Sequence, residues 1–387
     1  MKAHKVLFVP MALLMVVSVV VAGCAPPAPP AGPETVVVKE TVIVAGTPEV
    51  VEKVVTATPE PEVEEPEEEI FVAMVQHSSI PFTEQMRRGG EAAAEDFGVK
   101  WDYAAPREID PTDAMAMFES MVTKGAHGIV LNPAPPGAWT TTIKEAVEKG
   151  VPVATIDNLA EEGSGASAYF SPHNFNNAKA LALELFNQLE KQGITEGQIV
   201  FAICAPGYTG QEQRADGWEA ACEENPQWEC IGPLDSTHSP ETNYAFWENA
   251  IVQYPDAVAF AGNCAFAGPN LGKIKKLNEA DFGIATFDLE PETLEFLADG
   301  TLTVAMGANP YLSAYLAVRS LVEYLRGDAP MVMGWVDTGP ELVTADNVEQ
   351  WLEFEEDPEA KHAYFKELSE TKFVNLNLLV QDFPWGD

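Results

Sequence analysis

Four apolar runs in this chain end in side chains that make strong, directional hydrogen bonds. "FVAMV" ends in Gln76-His77-Ser78-Ser79, "VPVATI" in Asp157-Asn158, "VAFAG" in Asn263 and "GIATF" in Asp288. Amides and carboxylates gathered at one place suit a ligand rich in hydroxyls, such as a sugar or polyol. A single Asp or Asn after a strand more often just starts a loop, where its side chain satisfies nearby backbone N–H groups. Four such endings argue for a shared site. No pairing of nucleophile and base, no HExxH, no GxSxG and no Walker loop is present, so the sequence does not read as an enzyme or a nucleotide binder. "GYTGQEQR" lacks the Gly-Lys-Ser/Thr of a phosphate loop, and "GSG" at 163–165 lacks the rest of a dinucleotide fingerprint. His77, His173 and His238 share no ligand spacing, which leaves no metal site and no cofactor to expect.

The elements that must position these residues are legible from hydropathy. "IFVAMV", "GIVLN", "VPVATID", "QIVFAIC", "AVAFAGN" and "FGIATFD" are continuously apolar, as parallel strands covered on both faces are. Helical stretches alternate with them. Asp110 and Pro111 supply a cap and a first turn before the stripe Ala114, Met117, Phe118, Met121 and Val122, and Ser239-Pro240-Glu241 opens another helix. Alternating strand and helix over residues 70–350 predicts a doubly wound α/β fold with parallel sheets, in a stretch long enough for one large domain or two such units. In such sheets ligands sit beyond the carboxyl ends of the strands, where the polar residues lie.

Around this core, composition changes. Lys2 and Lys5 precede an uncharged apolar stretch, Val6 to Gly23, which reads as a secretory signal over 1–23. Val21-Ala22-Gly23-Cys24 resembles the bacterial lipobox, and that resemblance implies that Cys24 is diacylated as the mature N-terminus on a membrane; an uncleaved anchor is the other reading. Residues 24–69 are rich in Pro, Val, Thr and Glu and predict a disordered acidic stalk. Sixty acidic against 22 basic residues, a net charge of -38, exclude nucleic acid as a partner, because phosphate neutralisation needs clustered Lys and Arg. Cys222 and Cys230 flank a helix-to-strand connection, and an oxidising compartment favours joining them, whereas Cys204 and Cys264 are expected to be buried thiols.

Several segments together resemble the type I solute-binding proteins of sugar ABC transporters, in the ribose-binding-like branch. They are "VQHSSIPFTEQMRRGGEAAAEDFG", "KGAHGIVLNP", "KGVPVATIDN", "GYTGQEQRADGW", "PDAVAFAGN", "GIATFD" and "GANPYLSAYLAV", in order over roughly residues 70–345. The resemblance implies two lobes joined by a three-segment hinge near 172, 309 and 337. The first lobe would hold 70–172 and 310–336, and the second 173–309 and 337–350. It implies a ligand set of Ser79, Phe82, Asp157, Asn158, Glu212, Arg214, His238, Asn263 and Asp288, with Phe82 stacked on a sugar ring. It also implies a monomer that delivers a sugar or polyol to permease subunits served by a separate ATPase. A sensor that presents a sugar or furanosyl autoinducer to a receptor is the alternative. Ile80, Glu212 and Ala308 depart from residues frequent in that branch, which removes the basis for naming ribose. The aromatic-rich extension 351–387 is expected to lie as a helix pair and an extended end on the N-terminal lobe.

Overall fold

The structure is a computed structural model that describes residues 35–44, 47–56 and 69–384. The signal segment 1–23 and Cys24 lie outside the described residues, as do parts of the stalk and Trp385. The chain divides into two units, 1–67 and 68–387.

In the first unit, strand β1 (Thr35–Val44) pairs antiparallel with β2 (Thr47–Thr56), from Thr35 opposite Thr56 to Val44 opposite Thr47. The expectation of a disordered stalk over 24–69 therefore fails across these two stretches. "TVVVKETVIV" and "TPEVVEKVVT" are dominated by β-branched side chains, whose restricted χ1 favours extended backbone. Averaging them with the neighbouring prolines and glutamates hid that preference.

The second unit begins with β3 (Phe71–Val75), α1 (Pro81–Asp96), β4 (Lys100–Ala104), α2 (Pro111–Thr123), β5 (Gly128–Leu131), α3 (Thr140–Glu148), β6 (Val153–Ile156) and β7 (Ala168–Ser171). It continues with α4 (Asn174–Lys191), β8 (Gly197–Ile203), α5 (Thr209–Glu224), β9 (Trp228–Asp235), α6 (Pro240–Gln253), β10 (Ala257–Gly262), α7 (Ala267–Leu277), β11 (Gly283–Phe287), α8 (Pro291–Ala298) and β12 (Val304–Gly307). It closes with α9 (Pro310–Arg326), β13 (Gly334–Asp337), β14 (Glu341–Val343), α10 (Val348–Glu356), α11 (Pro358–Thr371) and β15 (Val380–Gln381).

Two sheets result. A seven-stranded one has the order β15-β13-β7-β6-β5-β3-β4, and a six-stranded one the order β14-β12-β11-β10-β8-β9. All neighbours are parallel except β15 on β13 and β14 on β12. The two sheets give the doubly wound α/β lobes predicted from the alternating pattern. Each of the six apolar runs forms a strand, and helices close off both faces. Asp110 caps α2 by accepting from the backbone N–H groups of Thr112 and Asp113, and Ser239 caps α6 through Thr242. Helix α9 is buried from Tyr311 to Val322 because it lies between the seven-stranded sheet and α1. A Cβ on Gly89 of α1 would overlap the Tyr311 carbonyl, so the glycine sets how closely these two helices approach.

The chain leaves the seven-stranded sheet after β7, returns after β12, leaves again after β13 and returns for β15. That last return agrees with the expected extended end on the N-terminal lobe, but one helix of the extension departs from it. The extension does not lie on the N-terminal lobe alone: α10 packs on α8 of the six-stranded lobe, while α11 packs on α9 and β15 lengthens the seven-stranded sheet. Trp351 is the reason, since its ring touches the cores of both lobes.

Candidate functional site

The walls of the cleft between the lobes are made by two strand ends of the same kind. After β6 the backbone turns into the left-handed region at Asp157 (φ 61°), and after β11 it does the same at Asp288 (φ 72°). Aspartate tolerates this conformation better than most residues, and the turn aims each carboxylate out of its sheet. The cleft has a volume of about 210 Å³.

On the seven-stranded lobe, Asp157 Oδ2 accepts from Asn132 Nδ2 (3.1 Å) and Asn158 Nδ2 (3.2 Å), and Asn158 Nδ2 also reaches Asn132 Oδ1 (2.7 Å). Tyr169 donates its hydroxyl to the Asp157 carbonyl at 2.7 Å. His77 Nε2 stands 4.0 Å from Asp157 Oδ2, and its Nδ1 contacts Ser78 Oγ at 2.8 Å. Burial, with His238 as a lesser cause, pulls the His77 pKa down to about 4, so this ring is a neutral hydrogen-bonding group at pH 7. Burial raises the Asp157 pKa against the opposing charge of Arg214.

On the six-stranded lobe, Arg214 is the organising cation. Its Nε donates to Asn174 Oδ1 (2.9 Å), one of its terminal nitrogens to the Asn263 carbonyl (3.0 Å), and its guanidinium lies 4.0 Å over the Phe287 ring. Asp288 Oδ1 is buried and without a partner. Burial pushes the Asp288 carboxyl up to about 6, opposed by Arg214 and reinforced by Asp157. His238 is lowered by desolvation, opposed by Asp157, and its Nδ1 lies 3.6 Å from Cys204 Sγ. That thiol is no nucleophile, because burial and the adjacent Cys264 hold it protonated.

Six of the expected residues line one cleft: Phe82, Asp157, Asn158, Arg214, His238 and Asp288. Three do not. Ser79 is exposed beside the start of α1 and stands apart from the lining. Glu212 turns outward and its Oε1 accepts the Gly207 N–H at 2.6 Å, tying down the loop before α5. Asn263 is fully buried and outside the cleft lining: its Oδ1 accepts from Trp218 Nε1 (3.0 Å), its carbonyl accepts from Arg214 and Gln211, and its Nδ2 has no partner. Gln211 lines the cleft instead of Glu212, and helical spacing would have found it, since 211 and 214 share a face and 212 does not. Ile109, Tyr208, Cys204, Cys264 and Phe266 also line the cleft and were not singled out as ligand contacts. His173 caps α4 and packs edge-on against Trp335, apart from His77 and His238. Among the described residues no group of three or more His, Cys, Asp or Glu side chains is placed to hold a metal ion.

Elsewhere in the six-stranded lobe, Cys222 and Cys230 are joined as a disulfide with Cα atoms 6.1 Å apart, and Cys204 and Cys264 are free and buried. Among the described residues no helix is long and apolar enough to cross a membrane.

The arrangement suits a polyhydroxylated molecule. Carboxylates and a guanidinium face it from opposite lobes, while Phe82 offers an aromatic face for C–H groups.

The family pattern described as "Periplasmic binding protein domain" matches residues 71–329. The xylose/arabinose-binding protein XylF of Sulfolobus acidocaldarius is 23% identical over 292 residues, covering 73% of this chain and 72% of the relative. The ribose import binding protein RbsB of Bacillus subtilis is 23% identical over 250 residues, covering 64% of this chain and 78% of the relative. A carbohydrate transporter solute-binding protein of Agrobacterium radiobacter, solved with D-arabinose, superimposes with a TM-score of 0.68 at 22% identity, covering 74% of this chain and 98% of that one.

Proposed function

The chain belongs to the periplasmic binding protein family, whose members bind solutes rather than transform them, and from that premise we propose that its cleft captures a sugar or sugar-like polyol for an ABC importer. The observation that carries this reading is the pair of left-handed strand-end carboxylates, Asp157 on one lobe and Asp288 on the other, facing one cleft beside Arg214. A ligand bridging both walls gains contacts only when the lobes close, so binding favours the closed population. The relatives named for xylose, arabinose and ribose support a pentose as the first candidate.

The same reading makes the chain an exported lipoprotein, held to the outer face of the cytoplasmic membrane through Cys24 and handing its ligand to permease subunits. Cys24→Ala should abolish lipid labelling and release the protein into the soluble fraction; a variant that stays membrane-bound points to an uncleaved anchor. The binding claim is tested by a thermal-shift screen of pentoses, hexoses and polyols followed by calorimetric titration of the positives. Saturable binding of at least one sugar is expected, and a screen with no stabilising sugar or polyol would overturn the reading.

A further inference from the structure

The cleft lining combines polar and apolar groups. Asp288 Oδ1 is buried without a partner, close to Asp157 and Arg214. Ile80, Phe82 and Phe266 belong to the apolar part of the lining. These three side chains and Ala265 then continue into a second groove of about 310 Å³, whose further walls include Pro240, Pro269 and Pro291.

Three of the four polar residues bordering that groove are already committed to neighbours. Asn270 Nδ2 donates to the Pro240 carbonyl (2.9 Å) and to Asn243 Oδ1 (3.0 Å), and Lys273 Nζ pairs with Glu292 Oε2 at 2.6 Å. Glu290, the remaining carboxylate there, is pushed up to about 8 by burial and then by Asp288, which leaves it largely uncharged at neutral pH. A bare monosaccharide carries hydroxyls all round, and those turned towards Phe266 and Pro269 would exchange water for apolar carbon without compensation. A ligand with one polyhydroxylated end and one apolar end fits both halves.

Building on the sugar-binding reading, we propose that the ligand is a glycoside: a sugar ring held by Asp157 and Asp288, joined to an apolar or aromatic group that lies in the groove between Phe82, Phe266 and the prolines.

The test is calorimetric titration of the full chain with D-ribose, D-xylose and arabinose, each against both anomers of its phenyl glycoside. At least one phenyl glycoside should bind tenfold or more tightly than its parent sugar, because an aromatic ring leaves water for an apolar groove. Pro269→Gln and Pro240→Gln change the groove alone. They should bring that ratio near one while altering affinity for the free sugar less than threefold. Two variants guard against one failing to fold, which thermal unfolding would show. Free sugars binding as tightly as every phenyl glycoside would overturn the inference and leave sugar binding standing. A preference for the glycoside that survives in both variants would overturn the placement in this groove. Binding of neither class would overturn the inference, while the sugar reading is decided separately by the screen of pentoses, hexoses and polyols.

Discussion

The two walls of the cleft present the same residue type in the same backbone conformation, and they treat it differently. Asp157 has its Oδ2 held by the amides of Asn132 and Asn158, and its side chain keeps some exposure. Asp288 is unfinished: one oxygen is buried with no partner, and its pKa is pushed up to about 6. The wall of Asp157 is assembled before the ligand arrives, whereas the wall of Asp288 is under tension until something donates a hydrogen bond to it. Leaving a buried polar atom unpaired costs about 1–3 kcal/mol. A ligand that donated to it would recover this on binding.

The sharpest way to break this comparison is to remove what both walls share. Arg214→Met takes away the cation that offsets both carboxylates, removes the donor to Asn174 Oδ1 and leaves the Asn263 carbonyl with Gln211 alone. Breaking a buried charge network by removing one partner costs about 3–5 kcal/mol, so urea denaturation should show a loss of that order together with loss of ligand binding. A variant with wild-type stability would mean that the guanidinium does not neutralise the cleft.

Next in size is the response to pH. The folded pKa of Asp288 is raised from the usual 3.8 to about 6, so the folded state binds a proton that the unfolded state has released. Its contribution to stability is therefore present below about pH 4 and lost as pH rises to about 6. Asp288→Asn should match the wild type near pH 4 and become the more stable protein above pH 6, by about 3 kcal/mol at most. His77 acts with the opposite sign, since its folded pKa of about 4 lies below the usual 6.5 and it favours folding as pH rises through that window. Glu341, raised by burial to about 8, loses stability between roughly pH 4.5 and 8 in either protein. Glu290 is raised to about 8 by burial and then by Asp288, so the difference between variant and wild type reports Asp288 together with the part of the Glu290 shift that Asp288 causes. A difference that stays flat from pH 4 to 7 would show that the carboxylate is not desolvated.

Affinity separates the walls further. Asp288→Ala and Asp157→Ala should each weaken binding of a stabilising sugar by about 10- to 150-fold, which corresponds to about 1.5–3 kcal/mol for a charged hydrogen bond. Only Asp157→Ala should also lower the stability of the unligated protein, by about 1 kcal/mol, because Asn132 and Asn158 lose their acceptor. The double variant should lose less than the sum, since the two contacts serve one closure. Equal stability losses in the two single variants, read by thermal unfolding without ligand, would erase the distinction between the walls. The smallest effect belongs to Glu212→Gln: with its carboxylate on the Gly207 N–H, outside the cleft, calorimetry should find affinity within about twofold of the wild type.

How much of this was legible depended on the length of the apolar runs. The strands read from sequence, β3, β5, β6, β8, β10 and β11, are runs of mostly apolar residues unbroken by charge, and burial alone does not mark them, because β7 and β12 are buried throughout as well. The ones passed over were short or carried polar residues, as in "KWDYA" of β4, "AYFS" of β7 and "GWVD" of β13. Those depend on a neighbouring strand for their hydrogen bonds and carry little signal of their own. In the N-terminal unit the error ran the other way, because the β-branched stretches of β1 and β2 were present and composition outweighed them.

The sequence by itself determined the α/β class, the two lobes and the strand-end positions of Asp157 and Asp288, because burial on both faces and the onset of a loop are local properties that each segment displays alone. Only the tertiary structure decided which polar residues line the cleft. Asn263 sits at a strand end as Asp288 does, yet Trp218 and Arg214, distant in the chain, claim its side chain and its carbonyl. Glu212 and Gln211 are adjacent, and the rotation of α5 against the sheet sends one outward and the other into the cleft. Likewise, nothing local to residues 348–371 says that α10 leans on one lobe and α11 on the other; that follows from where the two cores leave room for Trp351 and Phe365. Such assignments are competitions among residues far apart in the chain, and packing settles them.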